Sequence, residues 1–154
     1  MREHIELIRK KIEHLHRMKV YLDYSLAQTL PLMPISDWQA LTPEQHETLA
    51  AFRVRFSDFQ EQLGKTMRAI AREEEQHTEP LSVVLIYMTK LGILDSVEQW
   101  KLIRELLNAV NHEYEENTDR LSEFFQELTK ATPALFVWLG RIVVFRESTY
   151  SQRP

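Results

Sequence analysis

The chain has 154 residues, a formal net charge of −4 and no cysteine. That length suits one domain able to bury about two thirds of the surface its unfolded form exposes, and the missing cysteines exclude a disulfide framework, thiolate zinc sites and a cysteine nucleophile together. The mild negative charge excludes a chain that is basic throughout, as a general nucleic-acid binder is, but leaves room for a local basic groove.

The opening residues, MREHIELIRKKIEHLH, are charged throughout and lack the apolar core of a signal peptide. Ile5, Ile8, Ile12, Leu15, Leu22 and Leu26 recur at helical spacing and predict a long first helix with one apolar stripe. Lys10, Lys11, Glu13 and Arg17 fill its other side, and Pro31 and Pro34 close it. Residues 31–42 form a connection anchored by Leu32, Ile35, Trp38 and Leu41. Thr42, Pro43 and Gln45 then give a capping-box start to a second helix, 43 to about 74, whose core face is Leu49, Phe52, Phe56, Phe59, Leu63, Met67 and Ile70.

REEEQHTEP (72–80) reads as a polar loop. A short third helix over about 81–91 is closed by Gly92. Asp95 and Glu98 suggest the cap of a fourth helix carrying Trp100, Ile103, Leu106, Leu107 and Val110, which frays near 111–117. A fifth helix starts near Thr118, carries Leu121, Phe124, Phe125 and Leu128, is kinked or restarted at Thr132-Pro133, and runs to about Phe145. Only three glycines occur, at 64, 92 and 140, fewer than the turns of a sheet-rich domain need. The expected fold is all-α: an antiparallel, up-and-down four-helix bundle with a short additional helix, one domain over 1–145 and a flexible tail over 146–154. No stretch is expected to reach the roughly 20 apolar residues of a membrane span, so a soluble, cytoplasmic protein is expected. ALFVWLGRIVVF (134–145) is apolar on more than one helical face, interrupted by Arg141, and predicts a self-associating surface and a homodimer.

Bundles often hold metals, so histidine and carboxylate spacing matters. Glu74 and His77 share a Glu-x-x-His spacing, but one such motif inside a charge run is a solvated loop before it is a di-iron ligand pair. His112-Glu113 begins like a zinc-protease motif, yet Glu116 stands where the second histidine is needed. His14 and His16 lie two apart and point in different directions on a helix. No metal and no cofactor are expected, and clustered phosphate-loop glycines are missing from the sequence.

The remaining polar concentration is RELLNAVNHEY (104–114). Together with AFRVRFSDFQEQLGKTM (51–67), KLGIL (90–94) and VEQWKLIRELLNAVNHEY (97–114), in that order, it resembles the HEPN superfamily. More narrowly it is similar to the HepT-type toxins of toxin–antitoxin pairs, encoded beside a minimal nucleotidyltransferase; the likeness spans residues 15–130 or so. The resemblance implies a homodimeric, metal-independent endoribonuclease with an Arg-Asn-x-x-x-His-x-Tyr site, an RNA substrate, and a nucleotidyltransferase antitoxin that transfers AMP onto the tyrosine. Asn108, His112 and Tyr114 match the last three motif positions; Leu107 stands where the motif has its arginine.

RNA cleavage without a metal needs the 2′-hydroxyl activated, the leaving oxygen protonated and the phosphorane-like charge stabilised. His112 suits the proton transfers, because histidine titrates near working pH. An arginine ordinarily supplies the anion clamp, and Leu107 donates nothing. Arg104 falls at i, i+4, i+8 with Asn108 and His112, so it either replaces the clamp or does the work an arginine ahead of the motif commonly does in these toxins. AMP on Tyr114 would place charge and bulk beside His112 and repel the RNA backbone. Three readings stay open: a nuclease weakened at Leu107, a catalytically inactive binding subunit that partners a nucleotidyltransferase, and a helical interaction protein with no RNA involvement.

Overall fold

The computed structural model describes residues 2–116 and 118–151, apart from the side chains of residues 2 and 114–116. The helices are α1 (Arg2–Thr29), α2 (Pro43–Glu73), α3 (Leu81–Lys90), α4 (Val97–Glu116) and α5 (Leu121–Thr149), with 3-10 turns at Leu30–Leu32 and Trp38–Ala40. No strand occurs among the described residues. The protein is all-α.

The apolar periodicity sets the core. All seven residues expected on the second helix's inner face, Leu49 through Ile70, are fully buried. Phe52, Phe56 and Phe59 each contribute roughly 1.5–3 kcal/mol of transfer free energy there. Ile8, Ile12, Leu15 and Leu22 of α1 are buried against them, while Ile5 and Leu26 are half-buried. Trp100, Ile103, Leu107 and Val110 bury one side of α4; Leu121, Phe125, Leu128, Leu135, Trp138, Leu139 and Ile142 do the same for α5.

Side-chain pairings fix the helix directions. His4 approaches Glu73 at 3.6 Å, and Arg55 donates to the Tyr21 carbonyl and the Ser25 hydroxyl, so α1 and α2 run oppositely. Asp95 pairs with Arg141 at 3.0 Å and Trp100 packs on Trp138, so α4 and α5 run oppositely as well. Across α2 and α4, Arg53 meets Asn111 and Gly64 meets Trp100, again in opposite directions. Phe59 on Phe136 and Glu74 with Tyr150 place α2 and α5 parallel.

Helix ends follow local chemistry, with three corrections. The Thr42–Gln45 capping box forms as expected: the Gln45 amide donates to Thr42 Oγ1 at 3.1 Å and the Thr42 amide donates to Gln45 Oε1 at 2.9 Å. Gly92 takes the left-handed conformation (φ 79°) that releases the chain from α3. The start of α4 differs: Ser96, not Asp95, accepts the Gln99 amide at 3.1 Å. Asp95 is instead the ion-pair partner of Arg141, which also donates to the Ile93 carbonyl at 3.3 Å. The cation that interrupts the apolar run of α5 thus secures the α3–α4 turn.

The second correction is at the C-terminus. A flexible tail was expected from 146, but α5 is helical to Thr149 and Tyr150 is only 3% exposed. Tyr150 packs edge-on against Phe145 and its hydroxyl donates to Glu74 Oε2 at 3.0 Å. Buried aromatic surface and a satisfied hydroxyl outweigh the polarity of the surrounding sequence. Residues 152–154 of the expected tail lie outside the described residues.

The third concerns span length. α5 continues unbroken through Pro133 and is, among the described residues, the one helix long and apolar enough to cross a membrane by length and composition. Its inward residues Leu135, Trp138, Leu139 and Ile142 are buried in the helical core, whereas Val137 (49%) and Val144 (64%) remain on the surface of the single chain.

Candidate functional site

α4 presents two chemically different sides. At about 100° per residue, Arg104, Asn108 and His112 follow one another within an arc of roughly 80°, and all three are exposed. Leu107 lies on the other side of Arg104 and is 0% exposed, in register with Trp100, Ile103 and Val110. The position at which the resemblance leads one to expect an arginine is therefore a core position. Tyr114 falls within α4, but its side chain lies outside the described residues.

The structure adds a guanidinium that sequence spacing does not reveal. Arg53 of α2 donates from Nη1 to Asn111 Oδ1 at 2.9 Å. Asn111 precedes His112 in the chain and sits at the border between the buried and polar sides of α4. A contact between residues 58 apart leaves no periodic trace; the one signal was a charged side chain next to Phe52 on the inward side of α2.

Between α2 and α4 lies a cleft of about 350 Å³. Lys65 and Arg68 line it from α2 and Arg104 from α4, with Glu61 as its carboxylate and Leu81 and Trp100 as apolar walls. Arg68 is engaged: its Nε donates to the Thr78 carbonyl at 2.9 Å and its guanidinium lies 3.7 Å from Glu79. Lys65 is exposed and 3.9 Å from Glu61. Gly64 forms part of the lining, and a Cβ there would stand 3.7 Å from Trp100 Cζ2, an ordinary contact distance.

Gln60, also lining the cleft, is 1% exposed, and neither side-chain amide atom has a hydrogen-bond partner among the described residues. Buried amides are ordinarily paired, and each exception calls for a cause. Sequence reading missed Gln60 because it falls on the inward side of an apolar helix, where a glutamine is indistinguishable from a border residue.

Chemically, α4 offers an imidazole, an amide and a guanidinium along one solvent-facing line, a set of donors able to contact a polyanion. Of the other histidine and carboxylate pairs, Glu74 accepts from Tyr150, while His77, His14 and His16 are exposed. No three His, Asp or Glu side chains gather as a metal site requires among the described residues. No family model matches the chain, and no curated protein and no solved structure gives a significant match to it.

Proposed function

We propose that the chain is a HEPN-type, HepT-like toxin: a cytoplasmic, metal-independent endoribonuclease built on an up-and-down four-helix bundle, acting as a homodimer and neutralised by a nucleotidyltransferase antitoxin. The observation that carries the reading is the exposed line of Arg104, Asn108 and His112 on α4. The alternating directions of α1, α2, α4 and α5 support the bundle. The surface residues Val137 and Val144 of α5 support self-association.

In this mechanism His112 takes the proton from the ribose 2′-hydroxyl, or delivers one to the leaving 5′-oxygen across the dimer groove. Asn108 orients the phosphate. Arg104 provides the cationic donors that Leu107 lacks, and Arg53, held on Asn111, brings a second guanidinium to the C-terminal end of α4. Transfer of AMP to Tyr114 by the partner adds negative charge next to His112 and blocks entry of the RNA.

The second reading, a non-catalytic subunit that partners a nucleotidyltransferase, is favoured by the complete burial of Leu107. One experiment separates the two. Purified chain is incubated with RNA in EDTA beside His112→Ala, Arg104→Ala and Arg53→Ala, and each is offered to a minimal nucleotidyltransferase with ATP. The nuclease reading expects cleavage by the parent and a loss of roughly a hundredfold in His112→Ala. Equal cleavage by parent and His112→Ala sinks it. No cleavage together with AMP transfer to Tyr114 selects the binding subunit.

A further inference from the structure

Charge, space and an unsatisfied polar group coincide in the cleft between α2 and α4. We infer that this cleft binds a phosphate ester bearing a flat or apolar group. Three cations, Lys65, Arg68 and Arg104, line the cleft with one carboxylate, Glu61, 3.9 Å from Lys65; with Glu79, 3.7 Å from Arg68, counted in, three positive charges meet two negative ones, an excess of one cation in a chain whose net charge is −4. Lys65 and Arg68 come from α2 and Arg104 from α4, so an anion in the cleft is contacted from both walls. Guanidinium groups hold phosphate through paired, charge-assisted hydrogen bonds, and a lysine adds a point charge.

The remainder of the lining is suited to the ester's other half. Trp100, itself 4% exposed, and Leu81 give apolar walls, Gly64 lets the α2 backbone lie close to the indole, where a Cβ would stand 3.7 Å from Cζ2, and the Ser57 side chain is polar. The volume of about 350 Å³ lies in the roughly 300–1,000 Å³ range of small-ligand pockets. Gln60 supplies an amide donor and acceptor with no protein partner among the described residues. Its amide atoms are nearly closed to solvent, so it meets a ligand only by turning about its own torsions; the assignment rests on the charges and the shape. The same α2 face carries Arg53 at the i, i+4, i+7, i+11 register of Ser57, Gln60 and Gly64, which extends the basic groove toward Asn111.

The phosphate has two possible sources, a free small phosphate ester and a nucleotide within single-stranded RNA, and both present the same chemistry to the cleft. The cleft shares Arg104 with the proposed nuclease line, but its occupancy is read by equilibrium binding without turnover. Isothermal titration calorimetry is run on the full chain with phenyl phosphate, inorganic phosphate and a short single-stranded RNA. The variants are Lys65→Ala alone, Lys65→Ala/Arg104→Ala, which removes one cation from each wall, and Lys101→Ala, which removes an exposed α4 cation outside the cleft.

Phenyl phosphate is expected to bind the parent and Lys101→Ala alike, more tightly than inorganic phosphate, and about tenfold or more weakly to the double variant. Because Arg104 also serves the proposed nuclease, the source is read from Lys65→Ala alone: if RNA binding falls there in parallel with phenyl phosphate binding, the phosphate belongs to a nucleic acid; if RNA binding is unchanged there, the ligand is a free ester. Failure of phenyl phosphate to bind the parent, or an equal loss in Lys101→Ala, overturns the inference. Circular dichroism of the double variant verifies that loss of binding is not loss of fold.

Discussion

Replacing Leu107 by the arginine of the motif is expected to unfold the protein before it activates it. Leu107 is fully buried between Ile103 and Val110 on the inward side of α4. The substitution gives up the roughly 1.5–3 kcal/mol of a buried leucine and inserts a guanidinium at a position whose α4 neighbours on the inward side, Ile103 and Val110, are apolar. An uncompensated buried charge costs about 3–5 kcal/mol, against a total stability of roughly 5–15 kcal/mol. Backing of the side chain toward solvent, which its long stem allows, recovers part of this, so a net loss of about 3–5 kcal/mol is expected. For a chain of this size each kcal/mol moves Tm by roughly 2–4 °C, giving a drop on the order of 10 °C. Leu107→Met, which conserves volume, should cost less than about 1.5 kcal/mol. The assay is thermal unfolding by far-ultraviolet circular dichroism, with RNA cleavage measured on the same preparations below the transition. A Leu107→Arg protein that melts with the parent and cleaves RNA faster refutes the argument, because the position would then have to open onto the same solvent-facing side as Asn108.

Other substitutions test particular contacts. Tyr150→Phe removes the hydrogen bond to Glu74 and should cost about 1 kcal/mol, whereas Tyr150→Ala should cost about 3 kcal/mol because a buried ring is lost; equal unfolding midpoints for all three in urea would show that α5 is not anchored there. Gln60→Leu should leave stability unchanged or raise it by about 1 kcal/mol, since an unsatisfied buried amide is exchanged for an apolar group, and a loss of 2 kcal/mol or more, on the order of a made hydrogen bond plus packing, would show the amide to be paired. Ser96→Ala should destabilise by about 1 kcal/mol as an N-cap, more than Asp95→Ala, which breaks an exposed ion pair worth up to about 1 kcal/mol; the reverse order in chemical denaturation would return the cap to Asp95.

The helices were legible in the sequence because burial on one side of a helix imposes a period, and α2 shows it best: Leu49, Phe52, Phe56, Phe59, Leu63, Met67 and Ile70 are all buried as the spacing requires. The same signal placed Leu107 in the apolar stripe of α4 and, through the motif, in a functional position; only the structure decides that the stripe wins. The cap of α4 was misread by one residue because Asp95 and Ser96 are both good N-caps, and the choice depends on Arg141, 46 residues away, drawing Asp95 aside. The end of α5 was missed because RESTYSQRP is polar by composition, and one tyrosine finding a pocket and a carboxylate has no period to betray it. The candidate site divides likewise: the resemblance singles out Asn108 and His112 and helical spacing adds Arg104 to their side, while Arg53, Lys65 and Gln60 come to α4 from another helix by packing alone.

The hydroxyl clasp between Tyr150 and Glu74 has a topological consequence. Glu73, the adjacent residue, is also where His4 arrives. The first turn of α1 and the residue that caps α5 therefore meet on the last residue of α2 and the residue that caps it, and the two ends of the folded unit are neighbours. A short polar bridge joining them, with new ends cut in the exposed 75–77 segment, should yield a circular permutant that keeps every helix intact. The same proximity makes a bulky fusion placed directly after residue 151 compete with the N-terminal turn of α1 for the same space, so a tag there wants a flexible spacer.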